Sequence, residues 1–264
     1  MNHEGLLPSL VPYIPTDKRA IPNDLIRSSL FTVSNHNTRR EYIKERNLYT
    51  FGATKITYTG EELRQDDEDV WLQIIYYFSR VEENYVDFMP YTVLRELDWP
   101  ARTQYCEKLK SSIIRMSATN ICISNEEINA GLTLSLVRKF MWKQEDGKKL
   151  KRWRVWLEPE IVKLFADMRY SKIIWDQRKK LNPLAKWLHA YYSSHAEPYP
   201  VKIITLRDAC GSKMKSIKHF KVTLRRALLE LAAVGFLKDF WIDARNLVYV
   251  QRDKQVMMVG LLGE

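Results

Sequence analysis

Twice along this chain of 264 residues a helical hydrophobic period gives way to strict alternation, and the same order of elements precedes the change each time. In the first instance Val70, Ile74, Ile75 and Phe78 recur at helical spacing. A short strand YVDFMP, a short helix YTVLRELDW and a long helix over 102–119 follow, the last with Tyr105, Leu109, Ile113 and Met116 on one face. Then LTLSLVRKFMWK alternates, placing Leu132, Leu134, Leu136, Arg138, Phe140 and Trp142 together, and KRWRVWL alternates through Trp153, Val155 and Leu157. Asp146-Gly147 between them is a strong hairpin signal. In the second instance a helix over 183–194 carries Leu184, Trp187, Leu188 and Tyr191 on one face. A strand YPVKIITL, a short segment RDACGS and a helix over 216–234 follow, and FLKDFWID and NLVYVQR alternate about Asp243-Ala244-Arg245-Asn246. Gly235 stands where a glycine closes a helix. Helix, strand, helix, helix and hairpin is the order of a winged helix, so the recurrence predicts an α+β chain of two tandem winged-helix domains.

The expected layout is an extended N-terminal arm over 1–23, a first winged-helix domain over 24–157 and a second over 158–264, linked near 157–165. Pro8, Pro12, Pro15 and Pro22 favour extended backbone in the arm. Asn23 or Asp24 is expected to cap a short helix in DLIRSSLFTV, followed by a polar basic loop SNHNTRREYIKERN and a strand pair around LYTFGATKITYT. Gln65-Asp66-Asp67-Glu68-Asp69 puts acids on a first helical turn, where they complement the helix dipole; a metal cluster is the weaker reading. Pro159 suits the start of a helix PEIVKLFADM, and YSKIIW reads as an extended link.

The charge is placed as well as abundant. The chain carries a net +10, and residues 201–226 hold eight Lys/Arg against Asp208 alone, a net +7. On the helix over 216–234, Phe220, Leu224, Leu228 and Leu231 form the core face, while Lys218, Lys221 and Arg225 share an exposed side flanked by Arg226. A basic N-terminal half suits a recognition helix, whose first turns meet base edges and phosphates in the major groove. Lys213, Lys215 and Ser216 at its start, His219 within it and Arg245 at the following hairpin tip complete this candidate set. Arg102, Lys108, Lys110, Ser111 and Arg115 on the earlier long helix form a weaker counterpart. The hairpin from Arg138 to Arg154 carries eight Lys/Arg and two acids, which suits tracking phosphates or, more blandly, solvation.

Other chemistry lacks its residues. There is no GxxxxGK[ST] and no HExxH, and His3, His36, His189, His195 and His219 do not pair at ligand spacing. Asn35-His36-Asn37 faintly resembles an HNH nuclease run but lacks partners. Cys106, Cys122 and Cys210 are far apart, against a disulfide framework or zinc site. The N-terminus has no signal-peptide pattern and no stretch suits a membrane span, so the expectation is a cytoplasmic protein with no catalytic site, cofactor, metal or membrane partner.

Several stretches add a family resemblance. PNDLIRSSLFTV, ITYTGEELRQDDEDVWLQI, SLVRKFMWK, WRVWLEPEIVKLF, WLHAYYSSHAEPYPVK and AVGFL resemble the TrfA family of plasmid replication initiators, across about Pro22 to Val250. The resemblance implies kinship with the RepE and pi initiators and two winged-helix domains. It implies binding to double-stranded iteron repeats at a plasmid origin, opening of A·T-rich DNA, and recruitment of host DnaA and the replicative helicase DnaB. It also implies a monomer–dimer equilibrium through the first domain. A Gln-Leu-x-Leu-Phe segment, through which the family resembles clamp-binding proteins, has no match before Pro22. The rival within DNA binding is a copy-number or transcriptional repressor using the same helices. A nuclease or recombinase and a protein-binding adaptor are rivals from other classes.

Overall fold

The computed structural model describes residues 11–35, 37–125, 130–143, 149–165 and 169–253. The chain opens with β1 (Lys18–Pro22), α1 (Asn23–Ile26), β2 (Phe31–Thr32), β3 (Tyr42–Asn47), β4 (Thr54–Glu61) and β5 (Leu63–Arg64). A unit follows: α2 (Gln65–Phe78), β6 (Tyr85–Phe88), α3 (Pro90–Glu96), α4 (Thr103–Ser117), β7 (Asn120–Asn125), β8 (Ala130–Leu134), β9 (Lys139–Lys143) and β10 (Lys149–Trp156). Three connecting elements, α5 (Pro159–Lys163), β11 (Tyr170–Ile174) and α6 (Trp175–Lys179), lead to the second unit. That unit is α7 (Pro183–Ser193), β12 (Val201–Lys202), α8 (Ile203–Ala209), α9 (Ile217–Ala233), β13 (Leu237–Ile242) and β14 (Leu247–Arg252). The chain is α+β.

Both units build a three-stranded sheet in the same way. The orders are β6-β10-β9 and β12-β14-β13, so the strand after the first helix pairs with the last strand each time. The first unit differs by an insertion: β7 and β8 leave it to join β3 and β4 in a sheet of order β3-β4-β7-β8. The helix ends follow local chemistry. Asn182 Oδ1 accepts from Ala185 N at 3.1 Å at the start of α7, and Ser216 Oγ accepts from His219 N at 3.3 Å at the start of α9. At the end of α9, Gly235 sits at φ +74, with Gly235 N donating to Ala232 O and Phe236 N to Leu231 O at 2.9 Å. That is a Schellman closure, and a side chain at Gly235 would strain it.

Several sequence expectations are corrected. The alternating run over 132–142 is not one strand. It breaks between β8 and β9, where Leu136 N donates to Thr119 Oγ1 at 3.3 Å and Leu136 O accepts from Trp71 Nε1 at 3.2 Å. The backbone there serves α2 and the end of α4 rather than a ladder. YPVKIITL is strand only at β12; Ile203, Leu206 and Ala209 then bury one face of α8. The helix expected in PEIVKLFADM spans only Pro159–Lys163 among the described residues. The loop SNHNTRREYIKERN contains β3, and β7 had no counterpart in the sequence reading. Neither Asn23 nor Asp24 caps α1, whose N-cap is Pro22: Asn23 Oδ1 accepts from Ser171 Oγ at 2.7 Å and Asp24 Oδ1 from Thr54 Oγ1 at 2.9 Å. Asp146-Gly147 and His36 lie outside the described residues.

The two halves are joined by pairing and by charge. β1, from the proline-rich segment, runs antiparallel to β11 from Lys18↔Ile174 to Pro22↔Tyr170. The first turns of α2 are buried, acidic and shared. Asp67 Oδ1 accepts from Ser112 Oγ at 2.7 Å and Arg115 Nη1 at 2.6 Å, while its Oδ2 accepts from Arg40 Nη1 at 2.6 Å and Arg64 N at 2.9 Å. Asp69 accepts from Arg178 Nε at 2.7 Å and from Lys186, and Glu68 lies 3.3 Å from Arg178. Burial pushes the Glu68 carboxyl upward against the pull of Arg178, and burial together with Asp66 does the same to Asp67. One turn on, Gln73 Oε1 accepts from Arg19 Nε at 2.9 Å and Nη2 at 2.7 Å, tying β1 to the same helix. Arg178 is 0% exposed, so Arg178→Met would leave Asp69 and Glu68 buried without it. The expected loss is about 3–5 kcal/mol of folding stability, read from urea denaturation.

Candidate nucleic-acid interface

The second unit leaves several basic residues exposed on and beside α9. Phe220, Leu224, Ala227, Leu228 and Leu231 bury the inner face of α9. The outer face leaves Lys218, His219, Arg225 and Arg226 exposed, with Lys215 and the capping Ser216 at the start. The hairpin β13–β14 folds beside α9. Its turn is set by Asp243 Oδ1, which accepts from Arg245 N at 2.9 Å and Leu247 N at 2.8 Å, with Asn246 at φ +60. Arg245 is therefore exposed at the tip. Lys221 Nζ donates to Asn246 Oδ1 at 2.7 Å, joining helix to hairpin.

Lys213 differs from its neighbours. It reaches back to the first half, 3.2 Å from Glu62 and 3.6 Å from Glu41. Burial works against charge on Glu62, but hydrogen bonds from Ser34, Arg64, Thr32 and Lys213 outweigh it and hold its pKa at about 2. Lys213 thus links the segment before α9 to the junction of β4 and β5.

The first-half candidates are mostly committed internally. Arg102 is exposed just before α4, and Ser111 is exposed midway along it. Lys108 pairs with Asp66 at 3.1 Å and sits 4.1 Å over the Trp99 ring. Lys110 lies 3.2 Å from Glu107 and 5.4 Å over the Trp142 ring. Arg115, with only 12% of its side chain exposed, is held by Asp67 at 2.6 Å and Glu61 at 3.2 Å. Beside this helix runs a groove of about 660 Å³ lined by Arg39, Arg40, Tyr42, Glu61, Ser111, Ile114, Arg115 and Ala118. Arg39 is exposed there and was missed by the sequence reading, because only the fold brings the 35–41 segment beside α4. Asn246 was missed likewise, although its place after Asp243 in a tight turn was visible. In the first hairpin, Lys139, Lys143, Lys151 and Arg152 are exposed, whereas Arg154 is bidentate on Asp87 at 2.7 and 2.6 Å. Among the described residues, no group of three His, Cys, Asp or Glu is placed to hold a metal, and no helix is long and apolar enough to cross a membrane.

The model of the TrfA protein family matches residues 6–252. The chain belongs to the TrfA family. It is 35% identical over 241 residues to the plasmid replication initiator protein TrfA of Escherichia coli, covering 90% of this chain. It spans 63% of the length of that relative. Crystal structures of domains 2 and 3 of RctB share the fold: one has a TM-score of 0.60 at 14% identity, another 0.58 at 12%. Each covers 88% of this chain and 97% of the RctB chain. On a fold shared with RctB, this TrfA-family chain exposes Lys218, Arg225 and Arg226 along α9.

Two outcomes distinguish free from committed cations. Arg225→Ala is expected to weaken binding to a cognate duplex by about 1–3 kcal/mol, by fluorescence anisotropy, with folding unchanged. Arg115→Ala is expected to lower folding stability by about 1–3 kcal/mol and leave the salt slope of binding unchanged. Glu62 supplies a pH signature. Its folded pKa is depressed from 4.5 to about 2, so its stabilising effect is complete above pH 4.5 and is lost as pH falls toward 2. Glu62→Gln should flatten the fall in urea midpoint across that window.

Proposed function

We propose that this chain is a plasmid replication initiator, with two winged-helix units that bind iteron repeats in double-stranded origin DNA. The carrying observation is the exposed basic first half of α9, capped by Ser216 and joined to the adjacent hairpin through Lys221 and Asn246. α9 is the main reading helix, and α4 contributes through Arg102 and Ser111, with Arg39 alongside. The identical strand order of the two sheets and membership of the TrfA family support the reading. The bound protein opens adjacent A·T-rich DNA and brings in host DnaA and DnaB without catalysis of its own. Self-association through the first unit tunes this activity.

Binding to the origin repeats and to scrambled duplex of equal length, across a salt series, tests the proposal. With about 6–10 phosphates neutralised, affinity for the repeats should fall about 10³–10⁵ fold between about 50 and 200 mM salt while selectivity persists. Equal, weak binding to both duplexes would overturn it. Selective binding without opening of the adjacent DNA would favour the repressor reading.

A further inference from the structure

The exposed face of α9 is not uniformly basic. Along its centre line run Lys218, Val222, Arg225 and Leu229, spaced so that successive residues lie about one turn apart. Val222 is 47% exposed and packs into no core. It lies in the second turn, ringed by Lys218, Arg225 and, to one side, Arg226. On a merely solvated face this position favours a long polar residue, because a β-branched side chain loses rotamer freedom in a helix and gains nothing from water. The cost is repaid if the isopropyl group is covered when the face is occupied. Leu229, at 58% exposure, lies two turns further on, past the basic stretch.

We infer that Val222 is a specificity-determining residue that reads the C5-methyl group of one thymine in the major groove. This rests on the proposal that α9 is the reading helix. Thymine carries the one apolar group on the major-groove edge of the base pairs, whereas cytosine presents an amino donor that an isopropyl group would leave unsatisfied. Val222 sits between cations that hold phosphates or guanine edges, so its depth in the groove is set by them. Its first-turn neighbours bring it to the base edges, since recognition helices enter by their N-terminal turns.

The test starts from a duplex that the full chain selects out of a randomised library. Each thymine is then replaced singly by deoxyuridine, which removes the methyl and keeps the pairing. The expected result is one thymine whose replacement weakens binding about threefold to tenfold. In Val222→Ala, which suits a helix better than valine, the thymine and uracil duplexes should bind alike. If no replacement weakens binding, or if the preference for thymine survives in Val222→Ala, the inference is overturned while the proposed function stands. If selection converges on no sequence, both fall.

Discussion

Four consecutive carboxylates, Asp66 to Asp69, begin α2, and the arrangement of the whole chain depends on how they are neutralised. Asp67 draws Arg40 from the 35–41 segment, Arg115 and Ser112 from α4, and the backbone of β5. Asp69 and Glu68 face the other way, to Arg178 of α6, and Asp69 also takes Lys186 of α7. Buried charge is costly unless paired and hydrogen-bonded, so these acids cannot be held in this place without cations from both halves. The same helix then takes Arg19 of β1 on Gln73, and the Arg19 guanidinium stacks 3.9 Å over Tyr76 and 4.6 Å from the centre of the Trp175 ring. One helix thus fixes the first unit, the N-terminal strand and the start of the second unit.

This arrangement sorts the cations into two populations. Arg19, Arg40, Arg115 and Arg178 are spent on structure, and Lys108 and Lys213 are largely held by Asp66 and Glu62. On Asp66, burial works against the charge, but Lys108 and Arg40 prevail and hold its pKa below the ordinary value. Outward-facing cations include Lys215, Lys218, Arg225 and Arg226 around α9, Arg245 at the hairpin tip, Arg102 and Arg39 beside α4, and Lys139, Lys143, Lys151 and Arg152 on β9 and β10. A charge excess in a sequence therefore overstates the charge offered to a partner. On α4 the pairs to Asp66, Glu107 and Asp67 engage Lys108, Lys110 and Arg115, whereas Lys218, Arg225 and Arg226 of α9 stay exposed.

The second unit was largely legible in the sequence because its signals are local. The spacing of Phe220, Leu224, Leu228 and Leu231, the Ser216 cap, Gly235 at positive φ and the alternation about Asp243 to Asn246 each act within a few residues. The first unit was less legible because its decisive contacts are long-range. The break at Leu136 is caused by Trp71 and Thr119, β1 is completed by β11, and the helix-start acids owe their burial to Arg178 more than a hundred residues away. A helix dipole explains why acids begin α2, but not why they are buried. On α4 the spacing of Lys108 and Arg115 was legible, but their pairing with Asp66, Asp67 and Glu61 was not.

If α2 holds the two units in one rigid register, one repeat should be read in two places. Missing-base interference on a single repeat tests that most directly. Two clusters of interfering bases are expected about one helical turn, roughly 10 base pairs, apart, the stronger facing α9 and the weaker facing α4. A single cluster, or weak interference spread evenly along the duplex, would contradict it.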